Sequence, residues 1–181
     1  MSSPTAVHPA LSKVLLDEAT LQARIKELGA QITRDYKGKQ LLVVGVLKGS
    51  TIFMSDLVRA LGNDLDVRMD FVAVSSYSGK SSTGTVRTLL DLRESPEGKD
   101  LLLVEDIVDT GLTLTSLTET LRAHRPASLE VCTLLDKPEC RKTPFQPKYT
   151  GFKIPNEFVV GFGLDYDERY RQLPCVGVLR T

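Results

Sequence analysis

Two short, unbroken apolar runs constrain this chain more than anything else in it: Leu41-Leu42-Val43-Val44-Gly45-Val46 and Leu101-Leu102-Leu103-Val104. Neither alternates with polar residues, so each predicts a strand covered on both faces, the usual condition of a parallel sheet. Helical patterns lie around them. From Asp17 to Tyr36, the residues Leu21, Ile25, Leu28, Ile32 and Tyr36 recur three or four positions apart, one stripe on a helix that Asp17 can cap. Thr51 to Leu61 repeats the pattern with Ile52, Phe53, Leu57 and Leu61 before Gly62 closes it, and Thr113 to His124 does so with Leu114, Leu117 and Leu121. Val67, Met69, Phe71 and Ala73 alternate along a longer strand, and Leu129 to Leu135 reads as a further one. Strands alternating with helices predict an α/β fold with a mostly parallel sheet.

The remaining segments are less regular. Residues 75–87 are rich in serine, threonine and glycine, too poor in apolar side chains for a core element and long for a plain connection, so they read as a mobile loop that can act as a lid. Between Asp136 and Glu157, Pro138, Pro144, Pro147 and Pro155 interrupt any periodicity, which reads as an ordered excursion. Phe158 to Phe162 and Cys175 to Leu179 add two short strands. Residues 1–10 look like a flexible tail, leaving 11–181 as one domain without internal repeats.

Composition removes several function classes. At 181 residues and 41% apolar content, the chain can bury a core that needs neither disulfide nor metal. Its 23 basic residues balance 23 acidic ones, so no net field draws it to nucleic acid or an anionic membrane, and any polyanion must be held locally. Cys132, Cys140 and Cys175 are odd in number and widely spaced, which fits free thiols in a reducing compartment and predicts a cytoplasmic protein. Only His8 and His124 are available to a zinc site, and no ligand spacing surrounds them. The start of the chain lacks the pattern of an export signal, and no apolar run is long enough to span a membrane.

Chemistry concentrates where the second apolar run ends. Leu103-Val104 leads into Glu105 and Asp106, then through Asp109-Thr110-Gly111 into a helix, so polar residues gather at the carboxyl end of a strand, where open sheets bind ligands. Free backbone amides, the Thr110 and Thr113 hydroxyls and a helix N-terminus suit a phosphate dianion, and Gly111 permits close approach. No Gly-x-Gly-x-x-Gly is present, and Lys48-Gly49-Ser50 lacks the upstream glycine of a P-loop. The two carboxylates would repel a phosphate unless they face sugar hydroxyls or a metal ion, so a phosphorylated sugar satisfies both halves. The plainer alternative is a solvated strand end with Asp109 as helix cap.

Val104-Glu105-Asp106-Ile107-Val108-Asp109-Thr110-Gly111-Leu112-Thr113 resembles the phosphoribosyl-pyrophosphate motif of type I phosphoribosyltransferases, in the form found in hypoxanthine-guanine phosphoribosyltransferases. Four further segments resemble that family's motifs in the same order. They are Leu47-Lys48-Gly49-Ser50 (pyrophosphate loop), Ser76-Tyr77 (mobile lid), Asp136-Lys137 (base-recognition lysine), and Phe158 to Gly161 with Leu164-Asp165-Tyr166 and Arg171 (purine hood).

The resemblance implies a type I phosphoribosyltransferase fold, a twisted central sheet flanked by helices with a small hood from the terminal segments, 136–181 being largely hood. It also implies Mg²⁺ dependence, phosphoribosyl pyrophosphate and a 6-oxopurine base as substrates, and assembly as a homodimer or homotetramer. It further implies that Asp109 to Thr113, Leu112 and Gly111 included, hold the 5-phosphate and that Glu105 and Asp106 take the ribose hydroxyls. Lys48, Gly49 and Arg171 would meet the pyrophosphate, the Leu47–Lys48 peptide being cis. Asp165 would belong to the purine-binding residues and, with Glu105 and Asp106, would serve the metal. Asp109 would exchange a proton with purine N7, Lys137 would donate to O6, Phe158 would stack on the base and Val159 would meet it through its backbone. A xanthine-preferring enzyme and a non-catalytic regulator that senses phosphoribosyl pyrophosphate are the alternatives; the second has no spare length here for a DNA-binding domain.

Overall fold

The computed structural model describes residues 8–76 and 86–180. The stripe on the first predicted helix becomes α1 (Glu18–Asp35), with the Asp17 carboxylate accepting from the Thr20 amide at 2.8 Å as N-cap. Leu21, Ile25, Leu28 and Ile32 are fully buried, each contributing about 1.5–3 kcal/mol. The first apolar run lies within β2 (Gln40–Leu47), followed by α2 (Thr51–Arg59) and β3 (Asp66–Ser76). Helix α2 is shorter than the periodicity predicts. It ends at Ala60, and Gly62 lies beyond it as the acceptor site of a Leu65 amide bond, outside the left-handed region.

β5 (Asp100–Val108), α3 (Leu112–Ala123) and β6 (Ser128–Asp136) complete the alternation. Strands β2, β3, β5 and β6 are parallel neighbours, as their apolar runs require. Side chains alternate between the two faces of that sheet. Leu41, Val43, Leu102 and Val104 pack with α1 and α2, whereas Leu42, Val44, Leu101 and Leu103 pack with Leu114, Leu117 and Leu121 of α3. The sheet is therefore covered on both sides.

The first strand of the chain and two edge strands of the main sheet have no counterpart in the sequence reading. β4 (Val86–Leu90) pairs antiparallel with β3, Ser76 facing Val86 and Ser75 facing Arg87, so the two ends of the expected 75–87 loop are sheet edge. The rest of that loop, with Tyr77, lies outside the described residues. β7 (Tyr149–Lys153) sits in the proline-rich excursion and adds to the main sheet parallel to β6, giving the order β4-β3-β2-β5-β6-β7. Residues 136–181 are thus only partly hood. The hood is a separate antiparallel sheet of β1 (Leu11–Leu16), β9 (Val176–Leu179) and β8 (Val159–Val160), built from both ends of the chain. Of the expected tail, Ala10 is anchored, its carbonyl accepting from the Arg180 amide at 2.8 Å. Among the described residues no helix is long and apolar enough to cross a membrane.

Candidate functional site

β5 continues four residues past the apolar run, so Glu105 and Asp106 lie within the strand rather than after it, Glu105 opposite Thr133 and Val108 opposite Asp136. Both side chains nevertheless line one cavity beyond the strand end. Glu105 is only 9% exposed, and its Oε1 accepts from the Asp106 amide at 3.0 Å; Asp106 Oδ1 accepts from the Ile107 amide at 2.7 Å. Burial, and then the neighbouring Asp106 charge, push the Glu105 carboxyl well above the ordinary glutamate range. Burial also raises Asp106, against the opposing pull of the Glu105 hydrogen bond, the Ile107 amide and Arg171.

The chain then turns. Asp109 is exposed, and the N-cap of α3 is Gly111, left-handed at φ 81° with no side-chain cap, so Asp109 is not a capping residue. Thr110 Oγ1 accepts weakly from the Leu112 amide at 3.4 Å. Glu105, Asp106, Asp109, Thr110, Gly111 and Thr113 line a cavity of about 170 Å³, with Leu112 opening the helix behind it. Lys137 follows β6 immediately beside the turn, its amide donating to the Val108 carbonyl at 2.9 Å, and is only 7% exposed. A buried lysine at a strand end is unusual for so strongly hydrated a side chain.

The loop after β2 closes on Asp106. The Leu47–Lys48 peptide is cis, and Gly49 approaches so closely that a Cβ there would lie 1.7 Å from Asp106 Oδ2. Gly163, at φ 103°, in turn stands where a Cβ would meet the Gly49 carbonyl at 2.1 Å. Glycine is required at both places. The hood segment from Gly163 to Arg171 is folded by ion pairs. Arg171 donates to the Gly163 carbonyl at 2.7 Å and pairs with Asp165 at 2.9 Å and Glu168 at 3.2 Å. Glu168 also meets Lys48 Nζ at 2.9 Å, and that hydrogen bond holds its carboxyl below the ordinary range. Phe158 is 53% exposed and meets the Tyr166 ring edge-on, centroids 5.7 Å apart; Val159 is buried in β8 opposite Val178.

The expected residues thus form two groups that meet at Asp106: the turn with its carboxylates, and Lys48, Gly49, Asp165 and Arg171. Ser76 ends β3. Among the described residues no three of His, Cys, Asp or Glu converge as metal ligands, so Glu105, Asp106 and Asp165 do not form a protein-only cage.

A phosphoribosyl transferase domain model matches residues 13–167. The chain belongs to the phosphoribosyltransferase family. It is 53% identical to the hypoxanthine-guanine phosphoribosyltransferase of Staphylococcus aureus (strain Mu50 / ATCC 700699) over 175 residues, 96% of this chain and 97% of that one. A Staphylococcus aureus hypoxanthine phosphoribosyltransferase crystal structure superposes with a TM-score of 0.93 at 52% identity, covering 99% of this chain and 97% of the other. A Trypanosoma cruzi hypoxanthine phosphoribosyl transferase superposes at 0.92 and 47% identity, covering 96% and 93%. The two-sheet architecture is therefore the type I phosphoribosyltransferase fold.

Two residues of this phosphoribosyltransferase site escape sequence reasoning. Glu168 bridges Lys48 and Arg171, but in sequence it is one acid among several in an exposed stretch. Arg141, in the proline-rich excursion, reaches the carbonyl of Asp109 at 2.9 Å, and no periodicity or motif marks it.

Proposed function

We propose that this phosphoribosyltransferase moves the 5-phosphoribosyl group from phosphoribosyl pyrophosphate to N9 of hypoxanthine or guanine, giving IMP or GMP and pyrophosphate. The observation that carries the reading is the joining of a small cavity, lined by the buried Glu105 and the half-buried Asp106, to the buried Lys137 that is bonded to the same turn. The names of the relatives support the same base class.

Cleavage of the bond from ribose C1 to pyrophosphate leaves positive charge on the ribose and negative charge on the departing group, and a catalyst must stabilise both as they develop. In this reading the main chain of Asp109 to Thr113, with the Thr110 and Thr113 hydroxyls, holds the 5-phosphate, and Glu105 and Asp106 take the ribose hydroxyls. Backbone groups of Lys48 and Gly49 meet the pyrophosphate. Arg171 adds a fixed positive charge there, and its Nε is buried with no partner among the described residues. The oxygen-only donors Asp165, Glu105 and Asp106 suit a hard cation, and Mg²⁺ held there would add positive charge against the leaving group.

On the base, Asp109 exchanges a proton with N7, which its exposure at the cavity rim allows. Lys137 donates to O6, an acceptor that adenine replaces with a donor, so adenine is rejected. Phe158 stacks on the ring, braced edge-on by Tyr166, and Val159 meets the base through its backbone. The free thiols of Cys132, Cys140 and Cys175 suit a reducing cytoplasm, and we expect a homodimer or homotetramer.

The test is a base panel with Mg²⁺ and phosphoribosyl pyrophosphate, read as pyrophosphate release. Hypoxanthine and guanine should turn over and adenine should not. Equal use of adenine would defeat the Lys137 assignment, a clear preference for xanthine would move the enzyme to that relative, and silence with every purine would leave a sensor.

A further inference from the structure

Three consecutive carbonyls at the active-site turn are held from behind by one short stretch of chain. The Val108 carbonyl accepts from the Lys137 amide at 2.9 Å, the Asp109 carbonyl from Arg141 Nη1 at 2.9 Å, and the Thr110 carbonyl from the Lys142 amide at 2.9 Å. The only cis peptide among the described residues is Leu47–Lys48, so the three peptides of the turn are trans. In a planar trans peptide the carbonyl and the following N–H point in opposite directions. Pinning the carbonyls of Val108, Asp109 and Thr110 toward residues 137–142 therefore turns the amides of Asp109, Thr110 and Gly111 away from that stretch. Among the described residues no protein acceptor takes up any of these three amides. The left-handed φ of Gly111 completes the concave run, and its back lies against Thr143 and Arg141, where a Cβ would come within 2.6 Å and 3.0 Å.

Two of the three anchors are backbone amides, which side-chain substitution leaves in place. Arg141 is the exception. It also pairs with the buried Asp136 at the end of β6, and its own side chain is only 14% exposed. A guanidinium fork can serve a carboxylate and a carbonyl at once, which the single ammonium of a lysine does less well.

We infer that Arg141 is a positioning residue: by anchoring the Asp109 carbonyl it aims the Thr110 amide at the 5-phosphate, and its loss weakens binding of the phosphorylated ribose specifically. The inference rests on the reading of this turn as the 5-phosphate cradle.

Removing Arg141 alone would strand the buried Asp136 charge and can unfold the chain for that reason alone. The comparison is therefore between D136N, which keeps Arg141, and D136N/R141A, which has neither the guanidinium nor the charge. The probes are ribose 5-phosphate and inorganic pyrophosphate, each as an inhibitor of transfer. D136N should bind ribose 5-phosphate within about two-fold of the unsubstituted protein, while D136N/R141A should bind it about ten-fold more weakly, a loss of the order of one hydrogen bond. Pyrophosphate inhibition, which reports the loop at Lys48 and Gly49, should be the same in both variants. Equal ribose 5-phosphate affinity in the two variants, or a parallel loss toward both probes, would overturn the role of Arg141. Failure of ribose 5-phosphate to inhibit the unsubstituted protein would instead remove the cradle reading, and the inference with it.

Discussion

The turn from Val108 to Gly111 and the hood segment from Gly163 to Arg171 face the same proposed ligand, yet they are held by opposite means. The turn is fixed by short bonds to main-chain carbonyls and sits beside carboxyls that burial pushes upward. The hood segment is held largely by ion pairs among Lys48, Asp165, Glu168 and Arg171, several of them well exposed, and carries non-glycine residues at positive φ at Asp167, Glu168 and Tyr170. Bonds to three successive main-chain carbonyls hold the turn in one geometry, so in the proposed reading the cradle is in place before the ligand arrives. Exposed ion pairs are screened and easily exchanged, so they suit a segment whose partners change when a multiply charged leaving group comes and goes. In that reading the first region organises binding in advance, and the second adapts to it.

The largest effect expected from this contrast concerns Asp109. Its backbone belongs to the cradle, but its side chain is exposed and caps nothing. D109A should leave stability within about 0.5 kcal/mol, as for surface substitutions in general. It should keep affinity for phosphoribosyl pyrophosphate within a few-fold while slowing kcat by about 10²–10⁴, the usual weight of one general acid-base group. Loss of binding in place of turnover would return Asp109 to a structural role and erase the distinction between frame and chemistry in the turn.

A smaller effect, with a sign fixed by burial, follows at Glu105. Its carboxyl titrates higher in the folded protein than in the unfolded chain. Its contribution is therefore fully present in acid and lost as pH rises from the ordinary glutamate range through the raised folded value. E105Q removes that dependence. Its thermal midpoint relative to the unsubstituted protein should climb over that pH window and then level off, while transfer weakens about ten-fold or more through the lost ribose contact. A midpoint difference that does not vary with pH would mean that the surroundings of Glu105 do not raise its carboxyl.

How much of this was legible in the sequence follows the same division. The buried strands, the three helices and the acidic pair carry period and pattern, and the Asp17 cap and the two covered faces of β2 and β5 could be read from residue spacing alone. β4 and β7 could not. They are short edge strands of five residues each, one beside a serine-rich loop and the other after a run of prolines, and their place depends on the partner strands β3 and β6. Within the site, the motifs marked the residues proposed to touch ligand. They did not mark Arg141 or Glu168, which act on other protein groups across 32 and 120 positions of sequence and leave no local pattern.

The smallest effect tests the adaptable side of the comparison. The Glu168 carboxylate bridges Arg171, the charge assigned to the leaving group, and the Lys48 ammonium on the loop whose backbone is assigned to the same group, and so stands where a ligand oxyanion would compete for both cations. Its depressed pKa means that this bridge is intact above the ordinary glutamate range and is lost only as pH falls through the lowered value, so at neutral pH it is fully formed. E168Q should accordingly lower the KM for phosphoribosyl pyrophosphate and tighten inhibition by pyrophosphate at pH 7, by no more than about two- to three-fold, since exposed pairs contribute little. The difference should shrink as salt is raised and vanish in acid. The 5-phosphate cradle, tested with ribose 5-phosphate, should show no change in the same variant. A loss of ribose 5-phosphate affinity in E168Q would couple the two regions and break the division between a fixed cradle and an exchangeable hood. A weaker grip on pyrophosphate would instead make Glu168 a brace that keeps Lys48 and Arg171 in place for the leaving group.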